Sequence, residues 1–150
     1  MRTNSGTITK KLAAYIPPID QTIAIPLLLL KQQYAIGIIT NGSIENQSKK
    51  LEKASLNNIF TPTTIYISEQ YQAPKPSSIL FEQALNTLDI KANELLYVGN
   101  NPLHDIYAPQ QLGIQTAWIN HGRTWNKKFS PNFKYKNIQE VLYSLVAKRI

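Results

Sequence analysis

Apolar and polar positions follow two rhythms along the chain, short β-branched runs set between stretches of helical spacing. Such alternation predicts a parallel sheet covered by helices on both faces. The strand candidates are Ala35 to Ile39, Thr63 to Ile67, Leu95 to Val98 and Thr116 to Ile119. A helix over Leu27 to Gln33 is predicted, with Pro26 entering in its first turn, where the missing N–H costs nothing. Ser43 is a candidate N-cap for a helix over Ile44 to Ala54, with Ile44, Leu51 and Ala54 on its inner face. Ser77 to Leu88 forms the next, with Leu80, Ala84, Leu85 and Leu88 inward, and Asp105 to Leu112 a short one stopped by Gly113. In the C-terminal helix Ile138, Val141, Leu142, Leu145 and Val146 fall at helical spacing behind a capping box of Asn137 and Glu140.

Composition narrows the classes. With 150 residues, 43% of them hydrophobic, the chain can bury one core and is expected to be one unit. The absence of cysteine excludes a disulfide framework, a thiolate zinc site and a thiol nucleophile. The apolar stretch Ile23 to Leu30 contains Pro26 and is far shorter than the ~20 residues that span a bilayer. With a polar N-terminus lacking a signal-peptide core, the expectation is a cytoplasmic protein without membrane partners. Sixteen Lys plus Arg against nine acids, a net charge of +7, favour an anionic substrate or partner. Part of the excess lies in Arg123, Lys127, Lys128, Lys134 and Lys136, interleaved with Trp125, Phe129, Phe133 and Tyr135. A solvated surface loop over a hydrophobic seam accounts for this segment, and no helix-turn-helix, zinc-finger or RNP-like pattern supports nucleic acid as a partner.

In open parallel sheets, ligands bind beyond the carboxyl ends of the strands. Three segments fall at such ends: Thr40-Asn41-Gly42, Ala73-Pro74-Lys75-Pro76, and the Gly99 to Asp105 turn. Thr40 offers a hydroxyl and Asn41 and Gly42 offer amides to an anion, although a plain strand-to-helix turn capped by Ser43 reads the same way. Lys75, stiffened by two prolines, suits a cation at a fixed distance from a phosphate, or is a surface lysine in a Pro-rich turn. Asp105 can take up Mg²⁺, cap the helix that follows it, or both. His104 and His121 are too few and too far apart for a transition-metal site.

These same residues resemble the haloacid dehalogenase (HAD) superfamily, in its subfamily of capped small-molecule phosphatases. The resemblance rests on the run Tyr34 to Leu51 around Gly37-Ile38-Ile39-Thr40-Asn41-Gly42-Ser43, on Ala73-Pro74-Lys75-Pro76, and on Tyr97-Val98-Gly99-Asn100-Asn101-Pro102-Leu103-His104-Asp105-Ile106 with Gly113. It implies a Rossmann-like α/β fold, a parallel sheet flanked by helices. It also implies a Mg²⁺-dependent phosphatase of small phosphorylated metabolites, working through an aspartyl-phosphate. By the same resemblance Thr40 and Lys75 are catalytic and bind phosphate, beside the amides of Asn41 and Gly42, and Asp105 and Asn100 hold the metal. Asn100 stands where the family places an acid, which implies weaker Mg²⁺ binding.

The family's first motif, Asp-x-Asp, supplies the nucleophile, and the chain's aspartates, Asp20, Asp89 and Asp105, form no such pair. Residues 1–22 are therefore expected to be a remnant of the cap or linker, and residues 23–150 an incomplete core lacking its first, central strand and most of the cap. That strand belongs between the ones ending at Ile39 and Val98, so a partner chain or a homo-oligomer is expected to complete the sheet. An inactive relative of the phosphatases follows, with an anion-binding or protein-interaction domain, or a gene remnant, as the alternatives.

Overall fold

The computed structural model describes residues 21–148, so the expected cap or linker segment lies almost wholly outside the described residues. Its last two residues, Gln21 and Thr22, open helix α1, Gln21–Lys31. Pro26 sits in the middle of this helix, not in its first turn as expected. Burial outweighs the lost backbone bond: Ala24, Pro26 and Leu30 are buried, and Leu27 and Leu28 pack on Ile59 and Phe60.

Strand β1, Ile38–Thr40, pairs in parallel with β2, Ile65–Ile67, with Ile38 opposite Ile65. Between them runs α2, Ile44–Lys53, whose N-cap Ser43 accepts a hydrogen bond from the Asn46 amide at 3.2 Å. Ile44, expected on the inner face, is 43% exposed, and no residue of α2 is fully buried. Ile44 and Leu51 are its only large apolar residues, too narrow a stripe to draw the helix onto the core. The short helix α3, Ser68–Tyr71, and α4, Ile79–Leu88, follow.

Strand β3, Leu96–Gly99, leads into a π-helical turn, Pro102–Tyr107, which continues as α5, Ala108–Gln110. Gly113, at a φ of +88°, ends that stretch and admits β4, Gln115–Ile119. The segment taken for a surface loop contains a further strand, β5, Phe133–Tyr135, paired in parallel with β4 so that Trp118 faces Lys134. Three residues are too few for alternation to stand out from the basic, aromatic stretch around them. Helix α6, Ile138–Val146, closes the described chain; the Asn137 side chain caps it, and Glu140 reaches back to the Lys136 amide at 2.8 Å.

The strands form two parallel sheets, β1-β2 and β3-β4-β5. Among the described residues no ladder joins β1 to β3 and no strand lies between them. Helix α4 bridges the two sheets from one face. Leu80 packs with Tyr66 and Ile39 of the first sheet. Phe81, fully buried, lies edge-on to Tyr97 of the second at 5.0 Å, in a cluster with Ala108 and Ile114 against which Ile39 of the first also packs. No helix among the described residues is long and apolar enough to cross a membrane.

Because fully buried Phe81 belongs to a cluster that draws on both sheets, Phe81→Ala is expected to cost about 3–5 kcal/mol in urea denaturation. A loss below about 1 kcal/mol would show that α4 does not hold the sheets together.

Candidate functional site

The carboxyl ends of β1 and β3 and the loop before α4 meet through three side chains. Asn41, just past β1, grips the Lys75 backbone in both directions: Oδ1 accepts from the Lys75 amide at 2.8 Å, and Nδ2 donates to the Lys75 carbonyl at 3.0 Å. Lys75 is thereby fixed at its main chain before its side chain makes any contact, and the bond between Lys75 and Pro76 is cis. Its ammonium donates to Asp105 Oδ1 at 2.6 Å and to the Tyr97 hydroxyl at 3.0 Å. The Lys75 and Asp105 side chains are only 10% and 8% exposed. A surface lysine is excluded.

Asp105 is held on its other oxygen by the amides of Asn100, at 3.1 Å, and Asn101, at 2.9 Å. The turn reaches this shape because Gly99 lies directly against the Asp105 carboxylate, where any Cβ would overlap it. Asp105 is not the helix cap that the sequence allowed. Asn101 does that work, its Oδ1 accepting from the amides of Leu103 at 3.0 Å and His104 at 2.9 Å.

Tyr97 completes the group. Its hydroxyl donates to the Ile39 carbonyl at 3.2 Å, across the space between β1 and β3. Burial, first, and the nearby Asp105 carboxylate, second, push the ionisation of this phenol far above its usual range, so it stays a neutral donor. Sequence reasoning missed Tyr97. In a strand it reads as one more apolar position, and only the packing of β3 against β1 turns its hydroxyl toward Lys75.

Of the other expected residues, Thr40 donates its hydroxyl to Gln47 Oε1 at 3.2 Å. The Gly42 amide, expected to face an anion, donates to Ser68 Oγ at 3.0 Å instead. Gly42 is nonetheless required, since at a φ of +143° a Cβ would run into the Gln47 side chain. Thr40, Asn41, Lys75 and Asp105 therefore share one rim, with Gly42 shaping it.

Residues 4–119 match the family of haloacid dehalogenase-like hydrolases. The chain belongs to that family. Glyceraldehyde 3-phosphate phosphatase of Pyrococcus furiosus is 32% identical over 97 residues, 65% of this chain and 40% of that protein. Pyrophosphatase PpaX of Bacillus cereus is 30% identical over 117 residues, 76% of this chain and 53% of its own. The chain thus spans about half the length of these relatives. The crystal structure of a HAD phosphatase from Thermococcus onnurineus superposes with a TM-score of 0.74 at 22% identity, over 87% of this chain and 58% of that one, and shares the fold.

Phosphatases of this family generally use Mg²⁺. Among the described residues no three His, Cys, Asp or Glu cluster together, and both oxygens of Asp105 are already bonded, one to an ammonium and one to two amides. Mg²⁺ demands a near-octahedral set of oxygens. The described residues by themselves do not fit it.

Removing either half of the buried pair strands a charge, so Asp105→Ala is expected to lose about 3–5 kcal/mol in urea denaturation, and an unchanged midpoint would contradict the pairing. Tyr97→Phe orphans the Ile39 carbonyl and is expected to lose about 1–3 kcal/mol near neutral pH. The folded chain keeps the phenolic proton where the unfolded chain releases it, above about pH 10. Tyr97 therefore contributes its full stabilisation below that pH, and the contribution falls as pH rises beyond it. The alkaline loss of stability should be shallower in Tyr97→Phe than in the parent chain; parallel curves would refute the assignment.

Proposed function

We propose that this chain is a HAD-type phosphate-binding domain that holds the phosphoryl group of a small phosphorylated metabolite at the rim and does not hydrolyse it. One observation supports this above the rest: a buried ammonium, Lys75, is locked by Asn41 and Asp105 at the carboxyl ends of two parallel strands. A cation held in place before the ligand arrives loses little entropy on binding an anion. Of its three N–H bonds, two are directed at Asp105 and Tyr97, leaving one donor for a phosphate oxygen. The Thr40 hydroxyl supplies a second donor by turning from Gln47, and the Asn41 amide a third. Gly42 contributes the turn and not its amide.

Hydrolysis is left out of the reading because phosphoryl transfer through a covalent intermediate needs a carboxylate nucleophile beside the phosphate. Among the described residues, Asp105 is the aspartate at the rim and is bonded on both oxygens, while Asp89 lies past the end of α4, at its C-cap. Asp105 and Asn100 together offer too few free oxygens to bind Mg²⁺ tightly. The space between β1 and β3 supports a partner as well: a strand contributed from outside the described residues, by another chain or a second copy, would pair both free edges.

Calorimetric titration with inorganic phosphate tests the reading. Binding is expected, at least about tenfold weaker in Lys75→Met, and insensitive to replacing Mg²⁺ by a chelator. Aryl phosphate is expected to remain intact in parallel. Turnover that disappears in Lys75→Met would overturn the non-catalytic assignment, and undetectable phosphate binding would overturn the site.

A further inference from the structure

The basic segment after β4 reaches the same rim. Strand β4 ends at Ile119, and the turn Asn120-His121-Gly122 returns the chain so that the Arg123 amide bonds the Asn120 carbonyl at 2.9 Å. His121 and Gly122 both take positive φ, +48° and +79°, in this turn. The Arg123 side chain is then fixed at three points. Nε donates to the Asn120 carbonyl at 3.1 Å, Nη2 donates to the Asn100 carbonyl at 3.1 Å, and the guanidinium lies 5.8 Å from the centre of the Trp118 ring. Trp118 is buried and anchors the same place, its Nε1 also donating to the Asn100 carbonyl at 3.0 Å.

Asn100 is the hinge of this arrangement. Its amide holds Asp105, which holds Lys75, and its carbonyl holds Arg123. A single residue of the β3 loop thus stands between two positioned cations. Their surroundings differ in one respect. Lys75 is neutralised by Asp105, whereas the ion pairs among the described residues are Lys75 with Asp105 and Lys49 with Glu45, and neither includes Arg123. The sequence from 106 to 139 contains no Asp or Glu at all. Arg123 is exposed and keeps three N–H donors beyond those spent on carbonyls. Its rotamer freedom is already spent, which is the condition under which a guanidinium binds an oxyanion well.

The neighbouring aromatic residues do not offer a stacking platform to nucleic acid. Trp118 meets Trp125 at 4.7 Å, Trp125 meets Phe129 at 5.4 Å, and Phe129 meets Tyr107 at 5.1 Å, so the rings pack on one another. The Trp125 indole N–H is spent on the Phe129 carbonyl at 2.6 Å. Of these rings, Trp118 lies against the guanidinium.

We infer that Arg123 is the binding residue for a second anionic group, and that the ligand of the rim is a phosphorylated small molecule with another phosphate or carboxylate at its far end. The inference rests on the phosphate site proposed above, with Lys75 taking the first anion. Specificity for doubly anionic ligands then comes from a residue outside the three loops that the sequence motifs mark.

Ethylphosphonate, with one anionic group, and a series of alkane-α,ω-bisphosphonates of increasing length separate the two sites in calorimetric titrations of the whole chain. At least one bisphosphonate is expected to bind about tenfold tighter than ethylphosphonate. Arg123→Gln should bring that ratio close to one, Arg123→Lys should keep part of it, and Lys75→Met should weaken both ligands. Circular dichroism of each variant controls for folding, and Arg123 is exposed enough for its substitution to be tolerated. If ethylphosphonate binds and the ratio is one in the parent chain, or survives in Arg123→Gln, the second-anion site is wrong while the phosphate site stands. If neither ligand binds, the phosphate site itself fails and this inference with it.

Discussion

The pairing of Lys75 with Asp105 organises the rim, because each partner would be expensive to bury without the other. Taking an ammonium and a carboxylate out of water costs several kcal/mol apiece, recovered only when the geometry is good and the remaining hydrogen-bonding capacity is satisfied. Both conditions are met by backbone and side-chain groups together. Asn100 and Asn101 give their amides to Asp105, and Asn41 clamps the main chain of Lys75. Gly99 is the local requirement, since only a residue without a Cβ lets the carboxylate lie so close to the end of β3. Three loops distant in sequence are thereby placed in one register.

The same pair links the two sheets. Among the described residues, backbone ladders stop at β1 on one side and β3 on the other, so the connection between them is made there by side chains. Tyr97 carries it twice, its ring packed edge-on against Phe81 beneath and its hydroxyl bonded to the Ile39 carbonyl and to Lys75. Helix α4 contributes Leu80 and Phe81 to the apolar part of the junction, and the rim contributes its polar part. Stability and the proposed anion recognition draw on the same residues here. A substitution at the rim therefore acts on both, and stability has to be measured beside binding for either to be interpreted.

Family membership and chemistry are separate questions in this chain. Residues 4–119 match the hydrolase family, and the fold is shared. What the rim offers on its own is a positioned cation and hydrogen-bond donors. Those groups suit the phosphate proposed for the rim; a covalent hydrolysis needs a free carboxylate as well. In the proposed second site, Arg123 would add to recognition and not to reaction, since it brings charge and directional N–H groups but no nucleophile.

Much of this was legible in the residues alone. The β-branched runs located β1 to β4, helical spacing located α4 and α6, and the Asn137 cap behaves as its sequence says, because each depends on contacts within a few residues. The rim residues Thr40, Asn41, Lys75 and Asp105 were legible too, since strand ends in a parallel sheet point to one side whatever the packing. Other features depended on contacts far apart in the chain. Pro26 lies mid-helix because the burial of α1 outweighs one lost hydrogen bond, and Ile44 stays exposed because its helix is too polar to be drawn in. Strand β5 exists because β4 offers it an edge, which three residues cannot announce. The Asn41 side chain, Tyr97 and Arg123 acquire their roles from partners 34, 58 and 23 positions away. Local sequence sets which groups a segment can present; only the packed chain decides which of them meet, because hydrogen bonds and ion pairs form within about 3 Å and carry no trace along the sequence.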